Sequence, residues 1–153
     1  MKVCGIDLSS FTVDMVFVDL DTNHTDWRRF LLEGSDAWER TRNVRDALPN
    51  RTVSVWDDVI AIGIEQPAGH HGVLPLIRVQ GAILQCLPAA TLVQPYTPAR
   101  WRVLAGLPGH ALKADVKQRS LELGGNTDWP QDGHDAHLIA RAMQAELQAQ
   151  KAA

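Results

Sequence analysis

The chain has 153 residues, of which 45% are hydrophobic and 22% charged, and this size and balance predict one globular domain spanning residues 1–153. A formal net charge of -3 gives no overall basic field for nucleic acid, and no apolar run reaches the roughly 20 residues that cross a bilayer. The start, MKVCGIDLSS, is typical of a first strand and not of an export signal. Cys4 and Cys86 are predicted to be buried thiols. We therefore expect a cytoplasmic protein without membrane attachment.

Hydrophobic periodicity predicts an α/β protein with a mixed five-stranded sheet and helices on both faces. Three short strands joined by turns form an antiparallel meander, and a helix capped by Ser35 and a continuous apolar strand follow. These elements are predicted at 3–6, 12–18, 26–32, 36–48 and 59–64. A helix, a short strand and three further helices are predicted at 72–87, 90–94, 98–104, 111–123 and from about 132 onward.

Four carboxylates stand at the ends of apolar elements. Asp7 ends the first strand and Glu65 the most apolar one, while Asp132 and Asp135 lie three apart on one face of the last helix. Singly, Asp7 is typical of a turn residue, and the other two aspartates are typical of a helix N-terminus. Glu65 is harder to explain this way, because an ionised group rarely ends an apolar run without a partner. The ordered set of four predicts a site.

Carboxylates that converge at strand ends repel one another unless a hard cation lies between them. Mg²⁺ prefers oxygen ligands, and two such ions about 4 Å apart can activate water and stabilise the leaving oxygen in phosphodiester hydrolysis. The set therefore predicts a metal-dependent nuclease with two Mg²⁺ or Mn²⁺ ions. The candidate catalytic and metal-binding residues are Asp7, Glu65, Asp132 and Asp135.

The motifs GIDLSS, IGIEQP, LKADVKQRSLEL and DGHDAHLIARA, in this order, closely resemble the RuvC family of Holliday junction resolvases. The resemblance covers nearly the whole chain, and its strongest parts are Glu65-Gln66 and the DxxDA pattern at 132–136. It implies an RNase H-like fold and symmetric, metal-dependent cutting of four-way DNA junctions. It also implies that the four carboxylates bind the metal, with Asp7 as the bridging ligand.

The resemblance further implies a partner and a source. Proteins of this family act as homodimers with the helix after the Glu motif, here 72–87, at the interface. The short chain is similar to the small, divergent phage members, so we expect a phage protein that acts on branched DNA in the host cytoplasm. The family commonly has a base-stacking aromatic residue after the Glu motif, where this chain has PAGHH at 67–71. This difference leaves open a broader nuclease that also cuts flaps and replication forks.

Basic residues between 100 and 119 are candidates for phosphate contacts, which would position DNA without reading its sequence. Two of the lysines share one helix face in the segment where the resemblance implies a lysine near the scissile phosphate. The candidate DNA-binding residues are Lys113, Lys117, Arg100, Arg102, Arg119, His70 and His71. The alternatives are a solvated basic face and, for the two histidines, an exposed loop pair. Trp101 is a candidate for base stacking.

Other functions compete with this interpretation. GIDLSS also resembles a phosphate-binding turn of sugar kinases and actin, but those proteins need a second domain and a Gly-rich adenosine loop. A junction-binding module without catalysis conflicts with the acidic set, because carboxylates that hold no cation repel DNA phosphate. A transposase-type relative would carry a further DNA-binding domain. The sequence therefore favours a structure-selective endodeoxyribonuclease.

Overall fold

A mixed five-stranded sheet lies at the centre of the computed structural model, which describes residues 1–48, 54–67, 73–89 and 91–152. The strands are β1 (Lys2–Leu8), β2 (Thr12–Asp19), β3 (Thr25–Leu31), β4 (Val59–Glu65) and β5 (Leu92–Tyr96). Their order across the sheet is β3-β2-β1-β4-β5. The first three strands pair antiparallel, β4 runs parallel to β1, and β5 runs parallel to β4. The predicted sheet with an antiparallel first half is confirmed.

Helices cover both faces of the sheet, as predicted. In the described residues they are α1 (Ala37–Ala47), α2 (Val73–Cys86), α3 (Pro98–Leu104), α4 (Lys113–Glu122) and α5 (Gln131–Ala152), with a 3₁₀ turn at Ser54–Trp56. The predicted cap of α1 was wrong by one residue. The side chain of Asp36 accepts the backbone N–H of Glu39 at 2.8 Å, while the Ser35 hydroxyl donates to the Glu39 carboxylate. In the described part of the chain, no helix is long and apolar enough to span a membrane.

The described residues form two hydrophobic cores, one on each face of the sheet, because side chains alternate along each strand. Cys4 and Ile6 of β1 pack with α1 and α2, whereas Val3 belongs to the core on the side of α3, α4 and α5. Cys4 is buried as predicted, but Cys86 is only half-buried, near the end of α2.

Helix α5 lies directly against β1. A Cβ atom at Gly5 would lie 2.0 Å from the carbonyl oxygen of Ala136 and 2.3 Å from the backbone nitrogen of Ala140. Only glycine permits backbone contact this close. The close approach brings the first turn of α5 over the end of β1.

Candidate metal centre

The ends of β1 and β4 present two carboxylates to the same face of the sheet. The β1–β4 register places Ile6 beside Ile64, so the next residues, Asp7 and Glu65, stand at the same level. Because side chains alternate, both carboxylates project to the face that Gly5 presents to α5. Asp7 is buried and Glu65 is partly buried.

The N-terminal part of α5 adds the other two carboxylates, Asp132 in its first turn and Asp135 just after it. The pKa of Asp7 is raised well above its usual range, mainly by burial and then by the charges of Glu65, Asp135 and Asp132. An effect of this kind requires the four groups to lie within electrostatic reach of one another. The structure therefore brings together the four residues that the sequence selected.

Burial and like charge also act on two other members of the set. Burial raises the pKa of Glu65, against a hydrogen bond from Trp101, and the charge of Asp135 raises it further. Burial likewise raises the pKa of Asp135, against a hydrogen bond from Gln131. A bound cation would relieve this cost by stabilising the ionised carboxylates.

Each of the four carboxylates has one oxygen held by a protein donor. The bonds are Leu8 N to Asp7 Oδ1 at 2.9 Å, Trp101 Nε1 to Glu65 Oε2 at 2.8 Å, Arg29 Nη2 to Asp132 Oδ2 at 3.1 Å and Gln131 Nε2 to Asp135 Oδ1 at 2.8 Å. No hydrogen bond from a described residue reaches the second oxygen of any of them. The arrangement orients each carboxylate and leaves one oxygen open to a ligand.

The donor set fits a hard divalent cation, since it consists only of carboxylate oxygens. As the side chains stand, no three His, Cys, Asp or Glu side chains of the described residues lie close enough to hold one ion. Repulsion among like charges opposes their closer approach until a cation lies between them. A cation could therefore bind here only if the carboxylates moved closer together.

Trp101 was the tryptophan to test for base stacking, but the structure shows the packing role that is usual for tryptophan. Its side chain is fully buried, and its indole N–H donates to Glu65. Trp101 therefore orients the Glu65 carboxylate from within the core. The guanidinium of Arg102 lies over the Trp101 ring, 5.0 Å from the ring centroid.

The basic candidates divide into two groups. Lys113 and Lys117 are exposed on α4, and the charges of Lys113 and Arg102 partly offset the rise that burial causes in the pKa of Asp135. Arg100 pairs with Glu146, and Arg119 pairs with Glu122 and donates to the carbonyl of Ala105. His70 and His71 lie outside the described residues. Lys113 therefore lies near Asp135, whereas Arg100 and Arg119 are engaged by acidic side chains.

A buried polar chain joins α4 to α5. Arg141 Nε donates to His137 Nε2 at 3.1 Å, so the His137 Nδ1 proton is directed to Ser120 Oγ at 2.9 Å. The Ser120 hydroxyl then donates to His134 Nδ1 at 2.9 Å. This chain fixes α5 against α4 and engages the Nδ1 atoms of both histidines.

Because His137 is buried, we expect the stability of the fold to decrease at acidic pH. Burial, with smaller contributions from Arg141 and His134, lowers the pKa of His137 from 6.5 to about 3. Between these two values the unfolded chain binds a proton that the folded chain does not, so stability falls as the pH drops from 6.5 towards 3. We expect the melting temperature to fall less between pH 7 and pH 4.5 for His137→Gln than for the parent chain.

Thermal melts at both pH values check this, with His110→Gln, which changes an exposed histidine, as the matched control. An equal acid-induced loss in His137→Gln and the parent chain would contradict the assignment.

Sequence reasoning missed Asp14 and Arg29. Asp14 is a fully buried carboxylate within the apolar strand β2, directly opposite Asp7 on β1. The available signal was an acidic residue at a position that shares its strand face with Val16 and Val18. Its partner Arg29 was unpredictable from spacing, because the pairing depends on the β2–β3 register.

The chain is similar in structure to solved structures of RuvC. The Thermus thermophilus RuvC structure matches with a TM-score of 0.67 and 21% identity, covering 98% of this chain and 97% of that one. T. thermophilus RuvC in complex with a Holliday junction substrate matches with a TM-score of 0.74 and 17% identity, covering 97% and 96%. No protein-family model and no curated protein matches the sequence. The likeness shows the fold, and the chain therefore has the RNase H-like fold of RuvC.

Proposed function

We propose that this chain, acting as a single nuclease domain, is a structure-selective endodeoxyribonuclease of the RuvC type that cuts four-way DNA junctions with divalent metal. The observation that carries the proposal is the set of four neighbouring carboxylates, each oriented by one protein donor and without a hydrogen bond from a described residue at its other oxygen. The fold adds support, because one structural neighbour is a RuvC in complex with a Holliday junction substrate.

The chemistry follows from the donor set. The open oxygens of Asp7, Glu65, Asp132 and Asp135 would hold two Mg²⁺ or Mn²⁺ ions. When bound, these ions supply activation of water and stabilise charge on the leaving oxygen. The water oxygen attacks phosphorus and the bond to the 3′ oxygen breaks. That oxygen takes up a proton, so the products are a 5′-phosphate and a 3′-hydroxyl.

Cleavage of end-labelled four-way junction, flap and plain duplex, with Mg²⁺ and with EDTA, tests the proposal. Paired, metal-dependent nicks confined to the junction are expected. Equal cutting of flaps and junctions would indicate the broader branched-DNA nuclease that the PAGHH segment leaves open. Tight junction binding without cutting under any metal condition would overturn the enzyme assignment and leave a junction-binding module.

Lys117 is proposed to contact DNA phosphate from the exposed face of α4. We expect Lys117→Ala to weaken junction binding about 3- to 10-fold and to reduce the slope of log K against log salt by about 1. Binding titrations in Ca²⁺ at several salt concentrations measure both quantities. Lys151→Ala, at the far end of α5, is the control. Identical binding and salt dependence in the two variants would show that Lys117 is only a solvent-exposed surface residue.

We propose that α2 forms the homodimer interface. Its outer face carries an apolar stripe, in which Leu74 is 69% exposed, Ile77 49% and Leu84 41%. Gly81 lies at the same helical spacing, and a Cβ there would have nothing within 4 Å, so a second chain has room to approach. Two copies would bring two carboxylate sets to one junction, as symmetric cutting requires.

The interface is tested by Ile77→Glu, because a charge buried between two apolar stripes has no partner. We expect this variant to sediment as a monomer at concentrations where the parent chain is a dimer. Val103→Glu, which alters an exposed apolar residue on α3, should leave the oligomeric state unchanged. A dimer that persists in Ile77→Glu would place the interface elsewhere.

A further inference from the structure

Asp14 is a buried anchor beside the carboxylate set. Its side chain is 1% exposed and lies between Asp7 on β1 and Arg29 on β3 in the strand registers. Arg29 Nε lies 3.1 and 3.2 Å from the two oxygens of Asp14, Arg29 Nη2 lies 3.0 Å from Oδ2, and Trp27 Nε1 donates to Oδ1 at 2.8 Å. The Asp14 charge is thus compensated, and the Arg29 guanidinium is held in a fixed orientation.

Arg29 also reaches the last helix. Its Nη2 donates to Asp132 Oδ2 at 3.1 Å, joining two residues that are 103 positions apart in the chain. The Asp132 side chain is 42% exposed, so without this bond it would be freer to adopt other rotamers. The guanidinium therefore connects a buried anchor on β2 to a carboxylate in the first turn of α5.

We infer that Arg29 is a positioning residue for divalent metal binding. Arg29 orients the Asp132 carboxylate through Oδ2 and leaves Asp132 Oδ1 available to the metal. This inference rests on the proposed function. Arg29 keeps its salt bridge to Asp14 whether or not Asp132 holds an ion, because its planar guanidinium donates two hydrogen-bonding groups to a buried carboxylate. Donors that orient metal-binding carboxylates typically contribute 10- to 100-fold to metal affinity.

The opposing possibility is that Arg29 acts as a competing cation. A positive charge beside the site disfavours a second one, so on Coulombic grounds alone its removal would tighten metal binding. The contacts favour positioning, because Asp14 already neutralises Arg29 and the net charge of that pair is near zero. The two roles predict opposite changes in metal affinity, so one titration separates them.

The test is Mn²⁺ binding to the DNA-free protein, measured by calorimetry on Arg29→Gln. We expect the dissociation constant to rise about 10- to 100-fold. Arg29→Lys keeps the positive charge but lacks the planar guanidinium that contacts Asp14 and Asp132 together. It should therefore bind Mn²⁺ about 10-fold more weakly than the parent chain. Arg28→Gln is the matched control: it is the adjacent residue, projects to the other face of β3, and pairs with Asp26. It should bind Mn²⁺ like the parent chain.

Metal-free melting curves separate positioning from a merely structural role. Lower stability of Arg29→Gln with unchanged Mn²⁺ affinity would overturn the inference, as would tighter binding. If Arg29→Gln does not fold, Arg29→Lys decides the question, and parent-like Mn²⁺ binding by that variant would overturn it.

Asp7→Asn is the reference variant in the same titration. If it loses Mn²⁺ binding while Arg29→Gln retains it, only the role of Arg29 is wrong. If Asp7→Asn binds Mn²⁺ like the parent chain, the carboxylate site itself is wrong and the proposed function falls with it.

Discussion

Asp7→Asn is expected to reduce junction cleavage about 100- to 1,000-fold while leaving junction binding in Ca²⁺ intact. Asn keeps the shape of the side chain but removes a charged ligand, and the charge stabilisation that a catalytic metal supplies is worth several kcal/mol. Single-turnover cleavage with saturating Mg²⁺ and a binding titration in parallel measure the two quantities. Cleavage at the parent rate would show that the assigned site is wrong.

The same variant should be more stable than the parent chain in EDTA. Burial and the neighbouring carboxylates raise the pKa of Asp7, so its ionisation near neutral pH costs folding free energy that a neutral amide avoids. Added Mn²⁺ should raise the melting temperature of the parent chain more than that of Asp7→Asn. Asp128→Asn, the same change at an exposed position near α5, is the control for both assays. A metal-induced rise of equal size in both chains would contradict metal binding by Asp7.

Gly5→Ala is expected to destabilise the fold by about 3 kcal/mol or more, at the upper end of overpacking costs. Its Cβ would meet the backbone of Ala136 and Ala140 at 2.0 and 2.3 Å, and backbone atoms cannot rotate away as a side chain can. The helix must therefore move off β1. Thermal or urea unfolding measures the loss of stability.

Cleavage by the folded fraction of Gly5→Ala should also fall, because α5 carries two of the four carboxylates. A displacement of about 1 Å can cost about 100-fold in rate. Gly109→Ala is the control, since its nearest contact would be an ordinary 3.4 Å to Ala99. If Gly5→Ala were as stable as Gly109→Ala, α5 would not pack on β1 as described.

Local patterns were sufficient for most of the architecture. Alternation predicted β2, and the apolar run at 59–64 predicted β4, which the structure extends by one residue to Glu65. Helix α3 begins at Pro98 and ends at Leu104 as predicted, because Pro is favourable in the first turn. The errors were small shifts at element ends, such as the cap at Asp36, where neighbouring polar residues offer similar hydrogen bonds.

The carboxylate set was predictable for a similar reason. Asp7 and Glu65 contrast with the apolar residues before them, and the spacing of Asp132 and Asp135 puts both on one helical turn. Trp101 shows the opposite case. Its neighbours Arg100 and Arg102 suggested an exposed basic surface, whereas tertiary packing buries the ring beneath Glu65.

Periodicity and contrast with near neighbours in the chain were therefore enough to predict the element order and the class of fold, and to select the four candidate carboxylates. The contacts that support those carboxylates could not be predicted in this way. Asp14 lies opposite Asp7, and Arg29 bridges Asp14 to Asp132. The lack of a side chain at Gly5 allows the backbone of α5 to pack against β1. These contacts join residues far apart in sequence, and they depend on strand register and helix docking, which no local pattern encodes.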